Sequence, residues 1–238
     1  MHTIRNYIMA ESLEQAWELN QKGRNNVIIG GNLWLKMGNR NILNAIDLST
    51  LGLDRIEEDE SGFRIGCMAT LRDIEMHEGL NKEFQNLFKE AVRHIVGVQF
   101  RNCATVGGSI FPKLGFSDVL TAFLACDTQV ILYKKGEVSL REFIYMPLDN
   151  DILTHIYVKK DGRKTAYESF RMTETDFPTL TCAMAMVDGR FETVLGARPK
   201  HAEVVIDEEL ADSLSKEDVA SYAKRVIDKL QYGSNIRG

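Results

Sequence analysis

The chain has 238 residues, of which 44% are hydrophobic and 26% charged, and its formal net charge is −5 at pH 7. This composition is typical of a globular protein that is long enough to bury a core without disulfides or bound metals. The acidic balance disfavours a nucleic-acid binder, because such proteins need a positive surface field.

The cysteines and the N-terminus bear on the cellular compartment. Four cysteines are far apart and form no C-x-x-C pattern, which favours small buried thiols of a reducing compartment over disulfides, a zinc site or an iron–sulfur cluster. The first residues lack the apolar core of a signal peptide, and no run of about 18 apolar residues occurs. We therefore predict a cytoplasmic protein with no metal site and no membrane contact.

The N-terminal segment alternates helix and strand signals. Ser12–Gln15 has the spacing of a capping box and predicts a helix that ends near Gly23. Strands are predicted at Val27–Ile29, which runs into Gly30-Gly31, and at Ile42–Leu48. These elements indicate a small α/β unit.

Further helices are predicted before the central loop. Phe63–Ala69 is typical of a strand, and Thr70–Asp73 is a second capping box that starts a helix to about Glu78. Apolar residues then recur at helical spacing from Phe84 to Ile95, which predicts one amphipathic helix. That helix delivers the chain into the loop.

The loop from Gln99 to Asp118 is centred on Gly107-Gly108. Only glycine reaches positive φ without steric cost, so successive amides could converge there on an anion; an ordinary turn is the alternative. Gly30-Gly31 also ends a predicted strand, and two such bends could clamp a pyrophosphate between them. Neither pair fits the G-x-G-x-x-G or P-loop spacing.

The remaining chain predicts one buried helix, several hairpin strands and a final helix. The buried helix is Val119–Cys126, capped by Ser117 or Asp118. The other predicted elements are strands at 127–133, 138–140, 152–158 and 166–172, a hairpin of 180–187 with 191–197 around Asp188-Gly189, and a helix that Ser215 and Asp218 cap, with Val219, Tyr222, Ala223, Val226, Ile227 and Leu230 as its buried stripe.

The serine-hydrolase and zinc-protease motifs do not occur in the sequence. The chain has no G-x-S-x-G elbow, and His77-Glu78 is not followed by the second histidine of a zinc protease. We interpret the five scattered histidines as structural or surface residues. Any difficult chemical step would therefore be carried by a cofactor at the glycine pairs.

Three segments resemble the FAD-binding medium subunit of the molybdenum hydroxylases, the carbon monoxide dehydrogenase and xanthine dehydrogenase type. They are Ile28-Ile29-Gly30-Gly31 with Leu33-Trp34-Leu35, Gln99-x-Arg101-Asn102-x-x-Thr105-Val106-Gly107-Gly108-Ser109, and Gly115-Phe116-Ser117-Asp118 with the apolar run that follows. Weaker similarity continues through Phe170-Arg171, Asp176-Phe177 and Gly196-Ala197-Arg198-Pro199.

The resemblance implies an α+β fold with two parts. Residues 1–162 would form a two-subdomain FAD-binding unit of the vanillyl-alcohol-oxidase (PCMH) type, with subdomains at about 1–52 and 53–162. Residues 163–238 would form a small C-terminal α/β domain like that of the carbon monoxide dehydrogenase flavoprotein.

The resemblance also implies a set of FAD contacts. The pyrophosphate would be held at Ile28, Ile29, Gly30, Gly31, Asn32 and Leu33, and at Thr105, Gly107, Gly108 and Ser109. Ile95, Leu153 and Arg171 would lie against the cofactor, and Asp118 would accept hydrogen bonds from it. A cation at Arg171 would stabilise negative charge on the reduced ring. From the residues alone, Asp118 could instead be only a helix cap, Arg171 a surface ion-pair partner and Trp34 a core filler.

The function that the resemblance implies is electron transfer as an oxidoreductase subunit. A molybdopterin-binding large subunit would oxidise the substrate, and a [2Fe-2S] small subunit would pass the electrons singly to FAD, which would reduce NAD or another acceptor.

Only Asn32 separates Gly31 from Leu33, where family members usually carry two residues. That difference leaves a second hypothesis, a scaffold subunit of the same fold that has lost flavin binding. A third, a free-standing flavin oxidoreductase of the cell-wall-precursor reductase type, would need a catalytic acid that we do not identify.

Overall fold

The computed structural model describes residues 3–207 and 215–232, and the described chain forms a mixed fold of helices and three β-sheets. The strands are β1 (Thr3–Met9), β2 (Asn26–Ile29), β3 (Asn41–Asp47), β4 (Ile56–Glu58), β5 (Gly62–Gly66), β6 (Thr128–Leu132), β7 (Gly136–Ser139), β8 (Leu153–Lys159), β9 (Lys164–Arg171), β10 (Pro178–Val187), β11 (Arg190–Gly196) and β12 (Glu203–Asp207). The helices are α1 (Leu13–Gln21), α2 (Leu71–Met76), α3 (Glu78–Glu83), α4 (Leu87–Val92), α5 (Val98–Arg101), α6 (Val106–Ile110), α7 (Asp118–Leu124), α8 (Leu140–Phe143) and α9 (Lys216–Asp228). Short 3₁₀ turns lie at Leu35–Met37 and Ser49–Leu51. The outer limits of the predicted domains, residues 1 and 238, lie outside the described residues.

The first sheet is parallel and has the strand order β1-β3-β2. The predicted helix and both predicted strands are confirmed. The Ser12 hydroxyl caps α1 by accepting a hydrogen bond from the Gln15 amide at 3.1 Å. β1 was not predicted, because only two of its seven residues are even partly buried and its apolar pattern is weak. β2 ends at Ile29, directly before Gly30, so the first glycine pair lies at the carboxyl edge of the sheet.

The second sheet is antiparallel, with the order β4-β5-β8-β6-β7. Thr70 and Asp73 form the predicted capping box of α2. The single helix expected from Phe84 to Ile95 is wrong. α3 ends before Gln85 and Asn86, whose φ values of 45° and 65° no helix can accommodate, and α4 then begins. The apolar side chains between Phe84 and Val92 are buried on both sides of the break, so the spacing of apolar residues in the sequence does not reveal it.

The third sheet is antiparallel, with the order β12-β11-β10-β9, and α9 packs on it. The hairpin at Asp188-Gly189 is confirmed, with φ values of 51° and 73° in the turn. The capping box of α9 is also confirmed. The buried stripe predicted for α9 includes too many residues. Tyr222 and Val226 are buried, whereas Val219, Ala223 and Ile227 are exposed.

One hydrophobic cluster joins buried residues from all three sheets, for example Ile46, Ile156 and Val194. The prediction of buried cysteines holds for Cys67 and Cys126 but is wrong for Cys103, which is exposed; Cys182 is partly buried. None of the described helices is long and apolar enough to cross a membrane. Within the same residues, no cluster of histidine, cysteine and carboxylate side chains suits a metal ion.

Candidate cofactor-binding site

The two glycine pairs, distant in sequence, meet in the structure. A Cβ atom added to Gly31 would lie 1.7 Å from the carbonyl oxygen of Cys103, and one added to Gly30 would lie 2.4 Å from the Thr105 hydroxyl oxygen. Such distances are far inside van der Waals contact. The first glycine pair therefore lets the edge of the parallel sheet approach the backbone that precedes α6.

The reason expected for these glycines was wrong. None of the four adopts a positive φ; Gly107 and Gly108 lie in the first turn of α6. The Gly107 amide donates to the carbonyl of Cys67 at 2.9 Å, and the Gly108 amide donates to the Thr105 hydroxyl at 3.1 Å. Because these amides are already bonded within the protein, the second pair does not offer converging donors to an anion.

Open donors occur in the first motif instead. The amides of Gly31, Asn32 and Leu33 meet no acceptor among the described residues. The buried amide oxygen of Asn32 likewise meets no donor in that part of the chain, and Asn32 has a φ of 56° that turns the backbone into the following 3₁₀ turn. Polar groups without a protein partner need water or a ligand. This segment therefore has unused hydrogen-bonding capacity.

A cleft of about 530 Å³ opens beside these groups. Its size is within the range of about 300–1,000 Å³ that small-molecule sites occupy. Most of the predicted site residues line it: Ile28, Ile29, Gly30, Gly31, Asn32, Leu33, Thr105, Gly107, Gly108, Ser109 and Leu153.

A second cavity of about 120 Å³ adjoins the cleft. Ile95, Asp118 and Arg171 line it, and it shares Trp34, Ser109 and Leu114 with the cleft. The structure thus gathers every predicted site residue around two neighbouring cavities.

Asp118 is a buried ion-pair partner rather than a helix cap. The Ser117 hydroxyl caps α7 by accepting a hydrogen bond from the Leu120 amide. The Asp118 carboxylate, with the residue 4% exposed, accepts hydrogen bonds from the Tyr167 hydroxyl at 2.6 Å and from the Arg171 guanidinium. Burial raises the pKa of the Asp118 carboxyl above its ordinary value, although Arg171 and Tyr167 oppose the shift. Because the pair is buried, Arg171 is not the surface partner that the sequence left open.

Two buried groups that hold the site in place were not predicted. Tyr167 precedes Arg171 by four residues on β9. Residues at even spacing share one face of a strand, so this spacing could have indicated that Tyr167 lies beside Arg171. Arg101 binds both carboxylate oxygens of Glu75, at 2.7 and 3.1 Å, and donates to the carbonyl of Ile95 at 3.2 Å. This contact fixes the turn that carries Ile95 into the small cavity.

Replacing Tyr167 with phenylalanine is expected to lower the free energy of unfolding by about 1–2 kcal/mol, because Asp118 loses a hydrogen bond but keeps Arg171. Urea unfolding measures the change. Phenylalanine at Tyr157, whose hydroxyl contacts the exposed Ser61, is the matched control and should have a smaller effect. Equal losses of unfolding free energy in the two variants would contradict the role given to the hydrogen bond between Tyr167 and Asp118.

The sequence matches a family described as the FAD binding domain in molybdopterin dehydrogenase over residues 2–158. Two curated relatives are similar over most of the chain. The uncharacterized Escherichia coli protein YgfM is 26% identical over 195 residues, which cover 78% of this chain and 71% of the relative. The glyceraldehyde dehydrogenase medium chain of Sulfolobus acidocaldarius is 27% identical over 195 residues, which cover 76% of this chain and 69% of the relative.

Solved structures share the fold. A chain of carbon monoxide dehydrogenase from Hydrogenophaga pseudoflava superposes with a TM-score of 0.86 at 23% identity, covering 100% of this chain and 91% of that one. A chain of quinoline 2-oxidoreductase from Pseudomonas putida 86 superposes with a TM-score of 0.87 at 17% identity, covering 98% and 89%.

Proposed function

Because the chain belongs to the family of FAD-binding domains of molybdopterin dehydrogenases, we propose that it is the electron-transferring medium subunit of a xanthine dehydrogenase-like molybdenum hydroxylase. It is an oxidoreductase component, and FAD is its cofactor. Electrons would arrive from a [2Fe-2S] small subunit and leave to NAD or another acceptor.

The observation that carries the proposal is the contact between the two glycine motifs at the wall of the cleft. We assign the diphosphate of FAD to the open amides of Gly31, Asn32 and Leu33, where unused donors suit an anion. The Thr105 hydroxyl, which accepts from Gly108, retains a proton to donate to the same group. Gly107 and Gly108 contribute close packing rather than amide donors.

The flavin end is assigned to the region of Ile95, Leu153, Asp118 and Arg171. Flavin, when bound, supplies the acceptance of single electrons from an iron–sulfur cluster and the release of an electron pair to an acceptor such as NAD. Arg171 is partly neutralised by Asp118, so the local field there is that of an ion pair rather than of an isolated cation. Ile95 and Leu153 provide apolar contact and exclude water.

We propose the domain boundaries that the resemblance implies. The parallel and five-stranded sheets fall within residues 1–162, and the four-stranded sheet falls within 163–238. This arrangement supports a two-subdomain FAD-binding unit of the PCMH type, divided near residue 52, followed by a small C-terminal domain.

The partners proposed for this subunit are a molybdopterin-binding large subunit and a [2Fe-2S] small subunit. Affinity purification of the tagged chain from its native cells tests them. We expect two further chains, with molybdenum and iron in the eluate. A chain that purifies alone, with neither metal, under conditions that preserve known hydroxylase complexes would contradict the proposal.

The scaffold hypothesis stays as the alternative. It is favoured by the amides of Gly107 and Gly108, which are bonded within the protein, and by the small volume of the second cavity. A scaffold would purify with the same partners but would neither contain nor take up FAD.

A further inference from the structure

The two cavities of the site meet at a junction. Within the described part of the chain, Trp34, Ser109 and Leu114 are the residues that line both of them. The small cavity, at about 120 Å³, is below the range of about 300–1,000 Å³ for sites of drug-sized ligands. A tricyclic ring could reach Asp118 and Arg171 only if the side chains at this junction moved.

Trp34 is the largest side chain at the junction, and it packs against three aromatic rings. Its ring centroid lies 5.3 Å from that of Phe177, 5.4 Å from that of Phe116 and 6.0 Å from that of Phe100. Phe116 and Phe177 are in turn 4.9 Å apart. These rings come from separate segments of the chain, so the cluster holds the first motif against the rest of the site.

The indole of Trp34 is held by ring contacts, whereas other side chains of the site are held by hydrogen bonds. Its ring nitrogen has no hydrogen-bond acceptor among the described residues, and the residue is only partly buried. Ser109 and Asp118, by contrast, are held by hydrogen bonds to Thr105 and to Tyr167. Trp34 also lies in the short segment that follows the open amides of Gly31 to Leu33, so a ligand bound there lies next to it.

We propose that Trp34 is a gate between the two cavities. Its indole closes the small cavity in the free protein and turns aside when the flavin ring of FAD occupies the space next to Asp118 and Arg171. The adenosine diphosphate part of the cofactor binds in the large cleft without moving the gate. This inference rests on the proposed FAD-binding function.

Binding kinetics of FAD and of ADP, measured on flavin-free protein, test the gate. ADP fits the large cleft alone, so its observed rate should rise linearly with concentration. The observed rate of flavin-ring insertion should level off with FAD concentration at the opening rate of Trp34, because the ring must wait for a minor open state even after the ADP part has bound. Stopped-flow flavin fluorescence follows FAD, and displacement of a fluorescent ADP analogue follows ADP.

Substitution of Trp34 separates the gate from a filler role. Trp34→Ala should make the FAD rate linear and raise it at least about tenfold, since such minor states are populated at about 10% or less. The ADP rate should change far less than the FAD rate, although Trp34 also lines the large cleft. Phe111→Leu, a change at a residue that lines only the large cleft, is the matched control and should leave the levelling-off in place.

The outcomes distinguish the gate from the function on which it depends. FAD binding with a linear rate in the wild type, unchanged by Trp34→Ala, would overturn the gate alone. Equal acceleration of FAD and ADP in the variant would also overturn it, because the indole would then affect the whole cleft. Failure of FAD to bind wild type and variant alike would overturn the proposed function, and the gate with it. The wild-type curves decide the question even if the variant folds poorly.

Discussion

Replacing Gly31 with alanine is expected to abolish FAD retention and to destabilise the protein by about 1–3 kcal/mol or more. The added methyl group would lie 1.7 Å from the carbonyl oxygen of Cys103. That oxygen belongs to the backbone and cannot rotate away, so the two motifs must separate. Urea unfolding and the flavin content of the purified protein measure the two effects.

The matched control for this change is Gly23→Ala. No atom lies within 4 Å of the position of its added methyl group, and the residue has no positive φ, so both stability and flavin content should stay close to those of the wild type. A Gly31→Ala protein with wild-type stability and flavin content would show that the close approach of the motifs is not required.

Replacing Asp118 with alanine is expected to lower the free energy of unfolding by about 3–5 kcal/mol, the usual cost of leaving a buried charge without its partner. The Arg171 guanidinium, whose side chain is 7% exposed, would lose its carboxylate, and the Tyr167 hydroxyl would lose its acceptor. FAD retention should fall as well, because the flavin end of the site is built on this ion pair. Chemical denaturation and FAD titration measure the two losses.

An exposed ion pair provides the comparison. Glu90 pairs with Arg93 at 2.7 Å, and the two side chains are 37% and 49% exposed, so Glu90→Ala should cost only about 0–1 kcal/mol. Similar losses for the Glu90 and Asp118 variants would mean that burial of the Asp118 pair contributes nothing.

Features that depend on neighbouring residues were predictable from the sequence. The caps at Ser12, Thr70 and Ser215 were found because a capping side chain binds an amide three residues ahead. The Asp188-Gly189 turn was found because both residue types tolerate the positive φ that a tight hairpin turn requires. The sequence singled out the two glycine pairs, and the structure brings them together beside one cleft.

Features that depend on tertiary contact were not predictable. The backbone of Cys103 lies against Gly31, and nothing near Gly31 in sequence indicates this contact. The break at Gln85-Asn86 keeps the apolar spacing of a helix, so periodicity alone could not reveal it. The partners of Asp118 are 49 and 53 residues away, and the sequence could name Arg171 but not the bond between them.

The central claim is that the cleft between the glycine motifs binds one FAD per chain. Calorimetric titration of flavin-free protein with FAD tests it most directly. We predict saturable binding at one FAD per chain, weakened by excess ADP, which competes for the same cleft. A titration without heat of binding, together with purified protein that has no visible flavin absorption, would contradict the claim and favour the scaffold hypothesis.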